Sequence, residues 1–209
     1  MSEREQMTEP LQQLQPVEQV VLLDEEGRAV GVADKSTVHH GDTPLHLAFS
    51  CYVFDGSGAV LLTRRATHKP TWPGVWTNSF CGHPGPGEDL TEAVRRRAGQ
   101  ELGVRVGDVR LLLPAFRYRA VMADGVVENE MCPVFVATTS DPVNADAAEV
   151  DSFEWVAWDG FRASVLEGSR DVSPWCVEQV QALPADPVTA PGRPAEELPP
   201  ATRGAGLRP

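Results

Sequence analysis

The stretch GHPGPGEDLTEAVRRRAGQELG, from Gly82 to Gly103, decides the fold of this chain. Its second half predicts a helix from Asp89 to Leu102, because apolar residues recur there at helical spacing. Arg97 and Glu101 fall on the same apolar stripe, although both are charged. Burying charge without compensation is costly. We therefore expect these two side chains either to form a buried ion pair or to border a charged cavity that holds metal and phosphate.

The same stretch resembles a known loop–helix–loop motif. Five of its residues stand at the spacing of the Nudix box, which binds a divalent metal and a diphosphate: Gly82, Glu88, Arg96, Glu101 and Gly103. The hydrolases of that family carry a run of the form Arg-Glu-x-x-Glu-Glu. Here the run reads Arg96-Arg97-Ala98-Gly99-Gln100-Glu101, so Arg97 and Gln100 replace two of the three metal-binding glutamates. The resemblance implies a Nudix fold whose hydrolytic site has been dismantled.

The composition favours a globular protein that acts on a small molecule. The 209 residues, 42% of them hydrophobic, suffice for one domain with a sizeable core. A formal net charge of -12 argues against nucleic acid or an anionic membrane as the partner, and protein partners are not predicted. No window approaches the roughly 18 apolar residues of a membrane-spanning helix. The N-terminus is polar and acidic, unlike a secretory signal, so we expect a cytoplasmic protein.

The chain divides into a central domain and two tails. Residues 1–16 are polar and residues 183–209 are rich in proline and alanine, so we expect both segments to be disordered and the working domain to span 17–182. Strand patterns cover residues 19–23, 29–33, 45–54, 59–63, 109–121, 126–138 and 153–158, with short helices around Phe161 and Trp175. Strands interleaved with few helices predict an α/β (α+β) fold built as a sandwich around a mixed β-sheet.

Carboxylates and histidines suggest a metal site. Glu128 and Glu130 share one face of a predicted strand, where they repel each other unless a cation or a shared proton compensates. The alternative is that this face is an exposed sheet edge. Three imidazoles and two carboxylates would cancel the charge of Mn²⁺, Mg²⁺ or Zn²⁺. The five candidate ligands are His39, His46, His83, Glu128 and Glu130.

Three longer segments closely resemble the type I isopentenyl-diphosphate isomerases, which have the Nudix fold. They are ADKSTVHHGDTPLHLAFS, LLTRRATHKPTWPGVWTNSFCGHPGPGE and FRYRAVMADGVVENEMCPVF. Within the Nudix proteins, TNSFCGHP (77–84) and the Glu128-Asn129-Glu130 triplet are highly specific to that family. The resemblance runs from about Val20 to Trp175, which is nearly the whole predicted domain.

The resemblance implies a role for each matching residue. Cys81 matches the catalytic thiol, Glu130 the catalytic carboxylate, Tyr118 its hydrogen-bond partner, and Trp175 the aromatic residue over the reacting carbons. The five candidate ligands match the metal ligands of the family, and Glu101 matches the residue that helps hold a second Mg²⁺ on the substrate diphosphate. The diphosphate contacts match Lys35, Arg65, Lys69 and Arg97. No flavin is implied.

The implied reaction interconverts isopentenyl and dimethylallyl diphosphate by protonation and deprotonation through a tertiary carbocation. Two other functions stay open at this point. A Nudix hydrolase acting on a nucleoside diphosphate derivative would keep Glu88, Arg96 and Glu101, but it would leave Cys81 without a purpose. A non-enzymatic binding module would share the fold, and loss of Cys81 or Glu130 would be its sign; both residues are present.

Overall fold

The structure, a computed structural model, describes residues 18–202. Twelve strands and three α-helices follow one another along that part of the chain. The strands are β1 Gln19–Leu23, β2 Ala29–Asp34, β3 His46–Leu47, β4 Phe49–Phe54, β5 Ala59–Arg65, β6 Trp76–Thr77, β7 Phe80–Gly82, β8 Gly107–Leu113, β9 Arg117–Val121, β10 Val127–Met131, β11 Val134–Thr138 and β12 Val150–Ala157. The helices are α1 Leu90–Leu102, α2 Trp158–Leu166 and α3 Pro174–Ala182, and two 3₁₀ turns follow at Ala195–Glu197 and Pro200–Thr202.

The larger sheet lies between helices. Its main strands are ordered β12-β5-β4-β11-β8, with β6 paired to β5 and β7 paired to β4. Alternate side chains of β4 point to opposite faces. Phe49 and Val53 pack in the cluster that contains the apolar stripe of α1, whereas Tyr52 and Phe54 pack in the cluster that contains α2 and α3. The predicted α/β sandwich is confirmed by this arrangement.

A second, five-stranded sheet is the main departure from the prediction of one mixed sheet. Its order is β2-β1-β3-β10-β9, and β3 pairs with β10 in parallel. Each of the predicted strands 45–54, 109–121 and 126–138 is divided between the two sheets, so the predicted continuous strands were wrong. At two of the points where the chain passes from one sheet to the other, it contains a proline, Pro114 or Pro133. Proline lacks the N–H that a continuous ladder of hydrogen bonds requires.

Helix α1 is fixed at both ends. The side chain of Asp89 accepts hydrogen bonds from the backbone N–H groups of Thr91 and Glu92. These bonds satisfy donors that the first turn leaves unpaired. Gly103 ends the helix in the left-handed region at φ 66°, and a Cβ there would lie 2.6 Å from the carbonyl oxygen of Asn144. The predicted helix is therefore present with its charged residues in the expected register.

Residues 183–202 pack on the domain, which differs from the predicted tail. Trp158 Nε1 donates to the carbonyl oxygen of Ala185 at 2.7 Å. The backbone N–H of Arg193 donates to the carbonyl oxygen of Leu111, also at 2.7 Å. The side chain of Leu198 is buried in the cluster around α1. The backbone hydrogen bond to Leu111 of the edge strand β8, together with hydrogen bonds from the Arg110 side chain to the carbonyl oxygens of Val188 and Ala190, holds a segment whose composition alone predicts disorder. The predicted tails at 1–16 and 203–209 lie outside the described residues. Among the described residues, no helix has both the length and the apolar character needed to cross a membrane.

Candidate active site

One cavity of about 120 Å³ brings together nearly every residue that the sequence assigns to the site. Its lining residues come from loops, from strands β5, β7, β9 and β10, and from helices α1 and α3. The predicted site residues that line it are Lys35, His39, Arg65, Lys69, Cys81, His83, Arg97, Glu101, Tyr118, Glu128, Glu130 and Trp175. His46 is fully buried behind the wall, with its Nε2 3.5 Å from Glu130 Oε1.

Strand register places the central carboxylate. In the parallel pair of β3 and β10, Glu130 lies opposite His46. In the antiparallel pair of β10 and β9, the same Glu130 lies opposite Tyr118. Residues directly opposite on paired strands have side chains within contact distance. Two neighbouring strands therefore bring the imidazole of His46 and the phenol of Tyr118 to the carboxylate of Glu130. These polar partners allow the acidic side chain to be buried.

Four of the five candidate metal ligands converge. The ligand atoms of His39, His46, His83 and Glu130 all lie within 4.8 Å of one another. His83 Nε2 is 3.1 Å from Glu130 Oε1, and the ring centroids of His46 and His83 are 5.2 Å apart. Imidazole nitrogens and a carboxylate oxygen at this spacing are a suitable donor set for a divalent transition metal or Mg²⁺.

The hydrogen bonds of the histidines also fit a cation. His46 Nδ1 is 2.9 Å from the carbonyl oxygen of Pro44, so Nδ1 carries the hydrogen and the lone pair of Nε2 faces Glu130. His46 Nε2 and His39 Nε2 are both buried and have no hydrogen-bond partner among the described residues. A lone pair that faces a carboxylate oxygen is unfavourable without a positive charge between them. The site therefore fits a divalent cation.

Burial and mutual contacts shift the pKa values of this group. Burial lowers the pKa of His39 to about 4 and also lowers the pKa of His83. Burial also disfavours a charged His46, but the nearby carboxylates of Glu130 and Glu128 and the Pro44 carbonyl oxygen together outweigh burial and raise the pKa, so a positive charge is favoured between His46 and Glu130. Burial disfavours ionised Glu130 as well, yet the hydrogen bonds of His46 and His83 lower its pKa well below the ordinary value. Glu130 therefore stays ionised, which is the state that a carboxylate ligand of a metal requires.

Glu128 is separate from the four converging ligands. Tyr118 OH lies 2.8 Å from Glu128 Oε2 and 2.8 Å from Glu130 Oε2, so one hydroxyl contacts both carboxylates. Burial, together with the charge of Glu130, raises the pKa of Glu128 to about 7. The two acidic residues of β10 thus differ: one is held ionised by histidines, and the other is biased towards its neutral form. The alternative of an exposed sheet edge is excluded, because both residues are buried.

Cys81 lies beside this group, at the aromatic end of the cavity. Burial raises the pKa of its thiol to about 12, so the sulfur carries a proton at neutral pH. The rings of Tyr118 and Trp175 have centroids 5.6 Å apart, and Trp72 packs edge-to-face on Trp175 at 5.6 Å. This end of the cavity therefore combines a protonated thiol, a carboxylate and aromatic rings.

The cavity lining also contains four cationic side chains, Lys35, Arg65, Lys69 and Arg97, which we call its cationic end. Arg97 Nε donates to Glu101 Oε1 at 2.9 Å, and both side chains are buried while lining the cavity. The two alternatives for these inward charges are thus both met: they form an ion pair, and the pair borders a charged cavity. Arg65 Nη2 donates to the carbonyl oxygen of Thr71 at 2.8 Å, and Lys35 pairs with Glu18 at 2.6 Å.

Sequence reasoning missed two groups of residues around the cavity. Glu149 contacts both Lys69 and Arg97, at 3.3 Å from Arg97 Nη2, and thereby fixes two of the four cationic side chains. Its only signal in the sequence is an acidic residue just before a strand. Asn78 and Ser50 contact the sulfur of Cys81. Both lie inside segments that carry the family resemblance, Ser50 in β4 and Asn78 between β6 and β7, but the resemblance assigned a role to neither of them.

Comparisons with known proteins agree with this geometry. Residues 44–176 match the NUDIX domain family. The isopentenyl-diphosphate Delta-isomerase of Saccharopolyspora erythraea is 58% identical over 186 residues, covering 88% of this chain and 96% of that protein. The proteins of the same name from Mycolicibacterium vanbaalenii and Rhizobium rhizogenes are 57% and 52% identical, covering 83% and 90% of this chain and 95% and 92% of theirs.

Solved structures support the fold alone. The DR0079 protein of Deinococcus radiodurans superimposes with a TM-score of 0.61 at 18% identity, covering 78% of this chain and 98% of that one. A MutT protein of Methanosarcina mazei gives a TM-score of 0.52 at 20% identity, covering 67% and 93%. The NUDIX match supplies the architecture, and more than half of the aligned positions are identical to those of each named isomerase. This chain therefore belongs to the isopentenyl-diphosphate Delta-isomerase family, whose members it resembles along nearly their whole length.

Proposed function

We propose that this enzyme interconverts isopentenyl diphosphate and dimethylallyl diphosphate by proton transfer at the aromatic end of the cavity. The observation that carries the proposal is that Cys81 and Glu130 line one cavity together with four cationic side chains, while three histidines converge on Glu130. An isomerase of this kind needs an anchor for the diphosphate, an acid and a base for the alkene, and protection from water. Each requirement has a counterpart among the residues that line the cavity.

The cationic end is suited to the diphosphate. Lys35, Arg65, Lys69 and Arg97 present four positive charges, and arginine binds phosphate oxygens through paired N–H donors. Each of these side chains has a partner within the protein: Glu18 for Lys35, Thr71 for Arg65, Glu149 for Lys69 and Glu101 for Arg97. We propose that Glu101 helps to hold a Mg²⁺ ion on the bound diphosphate. The diphosphate would serve as an anchor and would remain uncleaved.

The thiol and the carboxylate are suited to the proton transfers. An unactivated alkene isomerises when its terminal carbon gains a proton and the carbon on the far side of the cationic centre loses one. We propose that Cys81 and Glu130 perform these two transfers, since both line the aromatic end of the cavity. Tyr118 would orient Glu130 through the hydrogen bond of its hydroxyl group. Between the two transfers the substrate is a tertiary carbocation.

The aromatic residues are suited to that carbocation. Trp175 is 1% exposed and lines the cavity, so its ring can face the cation in a dry environment. A cation over an indole ring gains about 2 kcal/mol or more when both are desolvated. Trp72 and Tyr118 pack on Trp175 and keep water from the same end. Exclusion of water matters because water would capture the cation and give an alcohol.

We propose that His39, His46, His83 and Glu130, together with Glu128, hold a divalent cation, with Mn²⁺, Mg²⁺ and Zn²⁺ as candidates. When bound, that cation would neutralise the buried carboxylate charge and tune the acidity of Glu130. The histidines would fix the carboxylate next to the alkene, whereas the carboxylate oxygen on the Tyr118 side stays hydrogen-bonded to the phenol.

The experiment that tests the proposal separates it from hydrolysis. The protein is incubated with isopentenyl diphosphate and Mg²⁺ in D₂O and followed by NMR, and in parallel with a panel of nucleoside diphosphate derivatives. We expect deuterium in dimethylallyl diphosphate and no release of phosphate or nucleoside monophosphate, because Arg97 and Gln100 stand where metal-binding glutamates would be. Release of phosphate from a nucleotide without any isomerisation would instead support the Nudix hydrolase.

A further inference from the structure

Asn78 is a fully buried side chain whose amide group has a fixed orientation. Its Nδ2 donates to two backbone carbonyl oxygens, that of Phe80 at 2.7 Å and that of Cys51 at 3.1 Å. Both hydrogens of the amide are therefore used. The amide oxygen must point the other way, because a flipped amide would set its oxygen against two carbonyl oxygens.

The amide oxygen faces three donors, two of which belong to the proposed site. Thr77 Oγ1 lies 2.8 Å from Asn78 Oδ1, Trp175 Nε1 lies at 3.2 Å, and Cys81 Sγ lies at 3.4 Å. The thiol and the indole therefore point at the same atom from two different elements, β7 and α3. One oxygen thus sets the distance between the proton-transfer thiol and the ring proposed to face the carbocation.

The far side of the sulfur is also held. Ser50 Oγ lies 3.2 Å from Cys81 Sγ and accepts a hydrogen bond from Gln179 Nε2 at 2.8 Å. Gln179 Oε1 in turn accepts from the hydroxyl of Tyr52 at 3.1 Å. Because Ser50 Oγ already accepts from Gln179, its own hydrogen is available to a sulfur atom. Gln179 and Trp175 share helix α3, so this second chain of bonds ties the same helix to the same thiol.

A connected polar group of this size at zero exposure carries a cost. Each buried polar atom must keep its partner or lose about 1–3 kcal/mol, and apolar residues would fill the volume without that risk. The core around it is otherwise made of such apolar residues. We propose that Asn78 is a positioning residue for the reaction: its fixed amide oxygen holds the Cys81 thiol and the Trp175 indole at the reacting end of the cavity, with Ser50 as the opposing support.

This inference rests on the proposed function, but its test does not depend on turnover alone. The test compares Asn78→Leu and Thr77→Val with Ser79→Ala as the matched control. Leucine has the same branching as asparagine but is larger, and it removes the shared acceptor together with the two amide hydrogen bonds to Cys51 and Phe80. Thr77→Val is close in shape and removes one of the three donors to that acceptor, together with the contact between Thr77 Oγ1 and Ser173 Oγ. Ser79 is an equally buried neighbour whose hydroxyl accepts from Val53 N and donates to Leu61 O, away from the cavity.

Two properties are measured on the full chain with metal present. The first is the separation of kcat from KM for isopentenyl diphosphate. The second is the rate at which iodoacetamide alkylates Cys81 at one fixed pH, followed by the mass of the peptide that contains it. Asn78→Leu should lower kcat by about 10- to 100-fold, since misplacement of a reacting group by about 1 Å has effects of that size. KM should stay near the wild-type value, because Asn78 does not line the cationic end.

The alkylation rate of Cys81 should rise in Asn78→Leu, because the thiol loses the acceptor that holds it, and should stay at the wild-type value in Ser79→Ala. Thr77→Val should also lower kcat, but by a smaller factor. If Asn78→Leu does not fold, Thr77→Val tests the positioning role of Asn78 in its place. Unchanged kcat and unchanged alkylation in the folded variants would overturn the positioning role, as would equal losses in Ser79→Ala. If the wild-type protein isomerises nothing, the proposed function fails, while the alkylation rates still test the role of Asn78.

Discussion

Replacement of Gly82 by alanine tests whether packing beneath the site is as tight as the structure shows. A Cβ on Gly82 would lie 2.8 Å from Phe49 Cζ and 2.9 Å from Arg97 Cγ. Carbon atoms pack best at about 3.5–4.0 Å, so the Phe49 contact would be short by roughly 0.7 Å. The ring of Phe49 cannot easily move aside, because it is fully buried. It packs edge-to-face on the rings of Phe80 and Phe135, with centroid separations of 6.2 Å and 6.5 Å.

The expected cost of Gly82→Ala follows from that overpacking. Extra carbon in a full core costs about 1–3 kcal/mol. For a protein of this size, about 2–4 °C of Tm is lost per kcal/mol, so Tm should fall by roughly 2–12 °C. The displaced stem of Arg97 should also raise KM for the diphosphate substrate, because Arg97 lines the cationic end.

Gly99→Ala is the matched control. Gly99 lies in the interior of α1, and a Cβ there meets nothing within 4 Å. This substitution should stabilise the protein by about 0.5–1 kcal/mol, since alanine favours a helix over glycine. Thermal unfolding and urea unfolding of both variants measure the difference. If Gly82→Ala unfolds at the wild-type temperature, or shifts upward with Gly99→Ala, the reasoning about the packing of Phe49 is refuted.

Two further predictions concern acid stability and metal binding. The hydrogen bond from Arg96 lowers the pKa of Glu88 below the ordinary value of 4.5. Ionised Glu88 therefore stabilises the folded state fully above pH 4.5, and this stabilisation is lost as the pH falls through the lowered pKa. Urea unfolding of Glu88→Gln should therefore show a smaller loss of stability below about pH 4.5 than the wild type, and parallel pH curves would contradict this. A metal bound at 100 times its Kd stabilises the folded state by about 2.7 kcal/mol, so a chelator should lower Tm and added Mn²⁺ should restore it. His46→Gln should lose most of this response, and an equal rise in Tm in wild type and variant would place the metal elsewhere.

The sequence predicts α1 and its inward charges well because both follow from local physics. Helical periodicity depends on residues three and four apart, and Asp89 and Gly103 fix the ends within the same segment. Arg97 and Glu101 then have to point towards the sheet, where a buried ion pair and a cavity can coexist. The approach of His46 to Glu130 depends instead on the pairing of β3 with β10, two strands far apart in sequence. The residue types suggested that His46 and Glu130 could share a cation, and the family resemblance indicated the same contact.

The divided strands and the C-terminal segment show where local patterns fail. A run of apolar residues predicts a strand, but it does not say which of two sheets receives each half; Pro114 and Pro133 were the available signals. Residues 183–202 contain few apolar side chains, and their order comes from hydrogen bonds with strand β8 and the turn at Gly27. Glu149 and Asn78 were missed for a related reason, since their importance depends on neighbours brought by other elements.

The most direct test of the proposed proton transfers by Cys81 and Glu130 is isomerisation in D₂O by three variants, measured against the wild type. Cys81→Ala and Glu130→Gln each remove one proposed proton-transfer group, and Cys51→Ala removes a buried thiol of the core as the control. We expect deuterium in dimethylallyl diphosphate with the wild type and with Cys51→Ala. Cys81→Ala and Glu130→Gln should lose turnover while they keep the wild-type Tm. Near-normal rates in either Cys81→Ala or Glu130→Gln, or no exchange with the wild type, would contradict the proposed transfers.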